Sequence, residues 1–255
     1  MILDRIVAQK RIEIAAFGPP GPPFGPRSAL VRDRLGAPGA LRLIAEIKHR
    51  SPSAGALSTA LTVEERARVY ARHAAMISVL CDETFFDGGW DHVTRARRAL
   101  DEAGLAVPIL AKEFVIDERQ VDEAAARGAD AVLLIARILT PARLAALHAH
   151  AMALGLEPLV EVVSEAEVES AGAAHVLGVN ARDLDTLQMD AARAARVLAV
   201  IPPDRIALHL SGLKTPADVA AIARSGVRGA LIGEALMRAE DPGAALASLA
   251  EAAWI

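Results

Sequence analysis

An acid–base pair interrupts an apolar run early in the chain. The segment LIAEIKHRSPSAG begins at Leu43 and carries Glu46 and Lys48 before it breaks into a Ser-Pro-Ser-Ala-Gly turn. Side chains on a strand alternate between its two faces, so residues spaced by two share a face. If the run is a strand, both charged groups point into the same small volume.

Lysine is scarce, and its few positions are therefore informative. Of 28 lysines and arginines only four are lysine, which leaves 24 arginines; the four are Lys10, Lys48, Lys112 and Lys214. A compositional bias that replaces surface lysines by arginine explains the excess. Arginine stays protonated, with a pKa above about 12, whereas a buried lysine can be brought toward neutrality and exchange a proton. The remaining lysines are candidates for proton transfer.

Eight apolar segments, each followed by a helical pattern rich in Ala, Arg and Glu, would position these side chains. They span residues 41–48, 75–81, 107–114, 131–135, 157–163, 175–180, 205–211 and 229–233. This alternation predicts an α/β fold, the (β/α)8 TIM barrel. An open doubly wound sheet is the alternative, but no Gly-x-Gly-x-x-Gly follows the first strand and no change in composition divides the chain.

A further helix is predicted ahead of the barrel. Apolar positions have helical spacing over 3–17, and a Gly/Pro-rich stretch at 18–26 ends that helix. We expect a single domain, 1–255, in which residues 1–40 form an N-terminal helical extension with a Gly/Pro-rich connector.

The composition and charge exclude some classes of binding partner. Hydrophobic residues make up 53% of 255, enough for a sizeable core. The formal net charge is −4 and no long basic run occurs, so neither nucleic acid nor an anionic membrane is expected as a partner. No apolar stretch reaches about 18 residues, and the single Cys81 fits a reducing compartment. We expect a soluble, cytoplasmic protein.

Polar side chains collect where the predicted strands end, and the C-terminal ends of strands are where barrels carry out chemistry. These ends carry Glu46, Lys48, Lys112, Glu113, Glu161, Asn180 and Arg182. Lysines, an arginine and carboxylates in one mouth predict an anionic substrate and acid–base catalysis. The alternative is a ring of buried ion pairs that only joins the strands, although desolvation makes such pairs weak stabilisers.

The last two predicted strands end in small-residue turns that lead into helices, LSGLKTP and LIGEALMR. Glycine lets backbone N–H groups approach an anion, and the start of a helix adds favourable partial charge. Two such turns on the final strands of a barrel predict a phosphate cradle.

These segments together resemble the indole-3-glycerol phosphate synthase family, the ring-closing barrel enzymes of tryptophan biosynthesis. The resemblance covers nearly the whole chain and includes the N-terminal helix and the segments SVLCDETFFDGGWD, PILAKEFVIDERQ and GVNARDLDTL. It implies a carbon–carbon lyase that converts 1-(2-carboxyphenylamino)-1-deoxyribulose 5-phosphate into indole-3-glycerol phosphate, carbon dioxide and water. It also implies that no metal or organic cofactor takes part.

The resemblance implies roles for five residues. Lys112 is expected to protonate the substrate ketone during ring closure. Glu161 is expected to be the base, and Lys48 the acid, of the dehydration that completes the pyrrole, with Glu46 keeping Lys48 charged and oriented. Asn180 is expected near the reacting centre. How the two lysines divide the two acid steps stays open.

Nine further residues match binding positions of the family. Arg182 is expected to fork onto the substrate carboxylate. The phosphate-binding positions are Ser51, Ser211, Gly212, Gly233 and Glu234, the last through its backbone N–H, and the apolar positions around the aromatic ring are Phe86, Phe114 and Leu184.

The seventh predicted strand departs from the family pattern. Members usually end it Glu-Ser-Gly-Ile, whereas this chain reads Leu210-Ser211-Gly212-Leu213. His209 does not replace the missing carboxylate, because neighbouring strand residues face opposite sides, and we expect it to pack outward against a helix. Loss of the acid should lower the pKa values of the lysines. Cys81, also atypical, is expected to be a small buried thiol.

Several interpretations stay open. Leu210 suggests a paralogue that acts on a modified anthranilate adduct, or a non-catalytic barrel that binds a phosphorylated ligand. A Schiff-base aldolase that uses Lys112 is a further alternative. The expected partner is a small phosphorylated substrate, and the expected oligomeric state is a monomer or a weak homodimer.

Overall fold

The computed structural model describes residues 1–19, 21–22, 24 and 28–254. Its strands are β1 Arg42–Ile47, β2 Arg50–Ser51, β3 Gly55–Ala56, β4 Met76–Leu80, β5 Ile109–Lys112, β6 Ala131–Ile135, β7 Glu157–Val162, β8 Val176–Asn180, β9 Ile206–Leu210 and β10 Gly229–Ile232. Each of the eight predicted segments contains one strand of the barrel. Strands β2 and β3, which form a short antiparallel hairpin after β1, were not predicted.

Strand β1 and strands β4 to β10 close into a barrel in the order β1-β10-β9-β8-β7-β6-β5-β4. All neighbours are parallel, and the circle is completed where Arg42 pairs with Gly229 and Ile44 with Met76. Helices lie between successive strands, as the right-handed crossover of parallel strands requires. The predicted (β/α)8 fold is confirmed.

In the described part of the chain, twelve α-helices precede, connect or follow the strands. They are α1 Ile2–Ala15, α2 Ser28–Gly36, α3 Val63–Tyr70, α4 Glu83–Phe86, α5 Trp90–Glu102, α6 Glu118–Ala126, α7 Pro141–Ala153, α8 Glu165–Ser170, α9 Ala191–Ala199, α10 Pro216–Ala223, α11 Glu234–Arg238 and α12 Pro242–Ala252, within the described residues. Most are started by an Asp, Ser or Thr whose side chain accepts a backbone N–H of the first turn, as Thr62 does for Glu65. None of these helices is both long and apolar enough to cross a membrane.

Period-two alternation divides the apolar residues of the barrel strands into two layers. The barrel interior contains Ile44, Met76, Leu110, Leu133, Leu159, Leu208, Leu210 and Leu231. The intervening residues pack against the helices, and buried Cys81 belongs to that outer layer, where burial raises the pKa of its thiol. His209 alternates with Leu208 and Leu210 and therefore faces the helices, as its sequence position predicts.

The two helices ahead of the barrel cover its two ends. Helix α1, predicted over 3–17, places Ile2, Leu3 and Ile6 over the carboxyl ends of the strands. Helix α2 packs Val31 and Leu35 into the interior cluster from the opposite end. In the predicted connector at 18–26, the residues at 20, 23, 25 and 26 lie outside the described residues.

Candidate active site

One cavity opens at the carboxyl ends of the barrel strands, beneath α1. All the residues predicted for the site line it: Glu46, Lys48, Ser51, Phe86, Lys112, Phe114, Glu161, Asn180, Arg182, Leu184, Ser211, Gly212, Gly233 and Glu234. The structure therefore brings together side chains from β1, β5, β7 and β8 and from the turns after β9 and β10. Their roles in catalysis and binding stay predictions.

The first acid–base pair lies at the end of β1. Lys48 Nζ donates a hydrogen bond to Glu46 Oε1 at 2.6 Å, and the carboxylate is only 2% exposed. Gly233, after β10, faces this pair closely: a Cβ at that position would lie 2.6 Å from Glu46 Oε1 and 2.9 Å from Lys48 Nζ. Only a residue without a side chain leaves room for the pair beside the turn that follows β10.

The second acid–base pair joins β5 to β7. Lys112 Nζ lies 3.5 Å from Glu161 Oε2, and Asn180 Nδ2 donates to Glu161 Oε1 at 2.9 Å. Asn180 Oδ1 in turn accepts the backbone N–H of Arg182 at 3.0 Å. The amide thus fixes one carboxylate oxygen of Glu161 and leaves the other directed to the lysine. Glu161 is 2% exposed, so this geometry is held away from bulk water.

The turn after β9 has an unusual backbone. Ser211 and Gly212 both have left-handed φ values, 73° and 92°. A turn backbone can direct successive N–H groups toward one concave surface, which suits an anion. A Cβ on Gly212 would also clash with the Met189 methyl group. Ser51 contributes from the hairpin after β1, where its Oγ accepts the backbone N–H of Ala54 at 3.1 Å.

An apolar wall completes the cavity. The Phe86 and Phe114 rings lie 5.9 Å apart between centroids, tilted by 35°. Helix α1 adds Ile2, Leu3 and Ile6, which the sequence did not assign to the site. Their spacing indicates that Ile2 or Leu3 and Ile6 share one apolar face of the helix, but nothing in the sequence shows that this face covers the mouth of the barrel.

Leu210 lies inside the cavity, at the position where the sequence resemblance predicts a carboxylate and the chain has leucine. It is 2% exposed and packs across Gly178, where an added Cβ would lie 2.5 Å from Leu210 Cδ1. The interior side of β8 is bare at this level, and Leu210 fills the space. Leu210 therefore adds an apolar surface to the cavity beside Asn180, its register partner on β8.

No group of three or more His, Cys, Asp or Glu side chains in the described part of the chain is arranged to hold a metal ion. The cationic groups that face the cavity are Lys48, Lys112, Arg182 and Lys214. The Arg182 guanidinium is steadied by a 2.9 Å hydrogen bond from Nη1 to the Leu187 carbonyl. The site is suited to bind an anionic molecule with an aromatic part and to move protons on it.

A closed (β/α)8 barrel with two acid–base pairs and a serine–glycine turn at the carboxyl ends of its strands has the architecture of a barrel enzyme. The sequence model of the indole-3-glycerol phosphate synthase family matches residues 3–249. The chain belongs to that family, as the sequence motifs predict.

Relatives from several bacteria support this membership. The chain is 41% identical to the indole-3-glycerol phosphate synthase of a Polaromonas species, over 97% of each chain. It is 43% identical to indole-3-glycerol phosphate synthase 2 of Streptomyces coelicolor, over 94% of this chain and 89% of the relative.

Solved structures at lower identity share the fold. A 3-hexulose-6-phosphate synthase superposes with a TM-score of 0.65 at 20% identity and covers 83% of this chain and 99% of its own. Thiamine phosphate pyrophosphorylase from Pyrococcus furiosus superposes with a TM-score of 0.64 at 17% identity and covers 88% of this chain and 97% of its own.

Proposed function

We propose that the chain converts 1-(2-carboxyphenylamino)-1-deoxyribulose 5-phosphate into indole-3-glycerol phosphate, carbon dioxide and water. The family membership and the names of the relatives support this function. The observation that carries the proposal is the arrangement of two lysine–carboxylate pairs, Glu46 with Lys48 and Lys112 with Glu161, around one cavity.

In the ring-closing step, Lys112 acts as the general acid. The ring carbon that bears the carboxylate attacks the substrate ketone, and Lys112 gives a proton to the ketone oxygen as negative charge develops on it. Proton transfer of this kind contributes roughly 10²–10⁴-fold to a rate. The carboxylate then leaves as carbon dioxide, and its bonding electrons restore the aromatic ring.

In the dehydration step, Glu161 and Lys48 act as base and acid. Lys48 protonates the hydroxyl group made in the first step, which leaves as water. Glu161 takes a proton from the carbon next to nitrogen, and the pyrrole double bond forms. Asn180 holds the carboxylate of Glu161 in place, and Glu46 does the same for the Lys48 ammonium.

The remaining residues bind and orient the substrate. The phosphate is bound by Ser51, Ser211, Gly212 and Gly233 and by the backbone N–H of Glu234, and the aromatic ring packs against Phe86, Phe114 and Leu184. Arg182 receives the carboxylate through its fork of N–H donors. The protein works as a single domain, in the cytoplasm, as a monomer or a weak homodimer.

An indole fluorescence assay with the carboxyphenylamino-deoxyribulose phosphate tests the function. We expect turnover by the wild type. In Lys112→Ala, kcat should fall by roughly 10²-fold or more, which is the contribution typical of a general acid. Arg196→Ala, an exposed change outside the cavity, is the control and should keep full activity. A folded wild-type protein that closes no indole ring would contradict the proposal.

Leu210 favours a second candidate, the same ring closure on an adduct with a substituted, less polar anthranilate ring. Parallel assays with the unsubstituted and a methyl-substituted adduct distinguish the two substrates. Turnover that appears only in Leu210→Glu would mean that the site has been diverted or retired, and tight binding without turnover would indicate a binding barrel. Borohydride trapping of an adduct on Lys112 would instead expose Schiff-base chemistry.

A further inference from the structure

Helix α1 carries a buried lysine that the reaction does not use. Lys10 is 1% exposed, although charged side chains are rarely buried without partners. Its Nζ lies 2.6 Å from Asp82 Oδ2, 2.7 Å from Glu13 Oε2 and 3.1 Å from Glu113 Oε1. Asp82 and Glu113 are themselves 0% and 2% exposed. One ammonium therefore joins α1 to the ends of two barrel strands.

The two buried carboxylates adjoin elements that line the cavity. Glu113 directly follows Lys112, and its Oε1 accepts the backbone N–H of Phe114 at 2.7 Å. Asp82 caps α4, the helix that ends in Phe86, through a 2.6 Å bond from the Phe85 N–H to its Oδ1. The segments that carry the aromatic wall and the proposed general acid are thus connected to Lys10 through Asp82 and Glu113.

Glu13 extends the attachment along α1. Its Oε1 accepts hydrogen bonds from Gln9 Nε2 at 3.0 Å and from Thr84 Oγ1 at 3.2 Å. Helix α1 is therefore bound to α4 as well as to β5. The same helix contributes Ile2, Leu3 and Ile6 to the cavity. A shift of the cluster would therefore move both α1 and the end of β5 that carries Lys112.

Stability alone is a poor reason for this cluster. Burying ions costs several kcal/mol each, and apolar residues of similar size often stabilise a fold as well or better. The cluster also brings three carboxylates to one ammonium, which is not the arrangement that minimises electrostatic energy. Its value lies in fixing three elements to one another through short ion-pair contacts.

We propose that Lys10 is a positioning residue for the proposed reaction: by binding Glu113 and Asp82 it fixes the end of β5, so that Lys112 points at Glu161, and seats α1 over the cavity. This inference rests on the proposed function for its kinetic test only. A displacement of about 1 Å at a reacting group can cost roughly 10²-fold in rate. Positioning of this kind acts on kcat more than on binding.

The test is a variant in which the whole cluster is made neutral, Lys10→Met with Asp82→Asn and Glu113→Gln. Asparagine is also a good helix cap, so the start of α4 is kept, and no unpaired buried charge remains. The matched control is Arg32→Met with Glu157→Gln, a partly buried pair at the opposite end of the barrel. Single Lys10→Met leaves two buried carboxylates without a cation and reports on folding.

We expect the neutral variant to keep the wild-type urea midpoint while kcat falls by about 10²-fold. Binding of the substrate analogue whose ketone is reduced to an alcohol should weaken by a smaller factor than kcat falls, because the cluster contacts the elements that carry the aromatic wall but not the turns after β9 and β10. The control pair should keep kcat.

Trace acetylation followed by mass spectrometry gives a readout that needs no turnover. Lys112 is 19% exposed, so its release from Glu161 would raise its labelling relative to exposed Lys214. An unchanged kcat together with unchanged Lys112 labelling in the neutral variant would overturn the inference. If the wild type closes no ring, the proposed function is wrong, and the labelling ratio still decides whether the cluster positions Lys112.

Discussion

Replacing Gly233 by alanine would place a methyl group against the Glu46–Lys48 pair. The φ of Gly233 is −123°, outside the left-handed region that favours glycine. The new Cβ would lie 2.6 Å from Glu46 Oε1, 2.9 Å from Lys48 Nζ and 3.2 Å from Glu46 Cβ. The perturbation is therefore a steric displacement of one acid–base pair.

The size of that displacement follows from the distances. A carbon–oxygen separation of 3.0–3.4 Å requires Glu46 Oε1 to move by roughly 0.4–0.8 Å. Glu46 is 2% exposed, so the carboxylate cannot swing into solvent, and the pair must shift toward the cavity. Since a 1 Å error can cost about 10²-fold, a shift of this size should lower kcat roughly 6- to 40-fold.

The assay is indole formation at saturating substrate, with the urea midpoint as a check on folding. The backbone N–H of residue 233 is kept, so KM should change less than kcat. Gly18→Ala is the control, because no heavy atom lies within 4 Å of the added methyl group. A Gly233→Ala protein with wild-type kcat would falsify the role given to the pair.

Two further predictions concern Glu161 and Glu113. In Asn180→Ala the Glu161 Oε1 atom loses its hydrogen-bond donor. A hydrogen bond to a charged group is worth about 1.5–3 kcal/mol, so kcat in the same assay should fall roughly 10- to 150-fold. An unchanged rate would exclude an orienting role for Asn180. Burial raises the pKa of Glu113 to about 7 from 4.5, so the folded state binds this proton more tightly than the unfolded state does. The contribution of Glu113 to the free energy of unfolding should therefore fall by about 3 kcal/mol as the pH rises from 4.5 through 7. Between pH 5 and pH 8, the free energy of unfolding measured in urea should fall further in the wild type than in Glu113→Gln; equal losses in both would contradict the prediction.

The strands and their functional ends could be predicted because both have local signals. The eight apolar segments, each followed by a helical pattern, predicted the barrel. Polar residues such as Lys112 and Asn180 are unusual at the ends of apolar strands, and this made them recognisable as candidate site residues. Period-two alternation also placed Leu210 inside and His209 outside, as the structure confirms.

What could not be predicted depends on contacts between distant segments. Lys10 meets Glu113, 103 positions away, and no local pattern specifies that α1 crosses the mouth rather than the side of the barrel. The interpretation of Lys10 as one of four unusual lysines was available from composition, but its partners were not. The hairpin of β2 and β3 was missed because two-residue strands carry no periodicity.

The closure of the barrel between β1 and β10 has a consequence for biosynthesis. The partner of Arg42 is Gly229, so the outer edge of the first strand finds its neighbour only when nearly the whole chain has been made. At about 5–20 residues per second, a ribosome needs on the order of 10 to 40 seconds to translate the intervening stretch. During that interval the β1 edge has unpaired backbone groups and is open to wrong pairing. Nascent chains should therefore depend on chaperones until translation ends, and truncation before β10 should yield aggregates rather than a smaller folded protein.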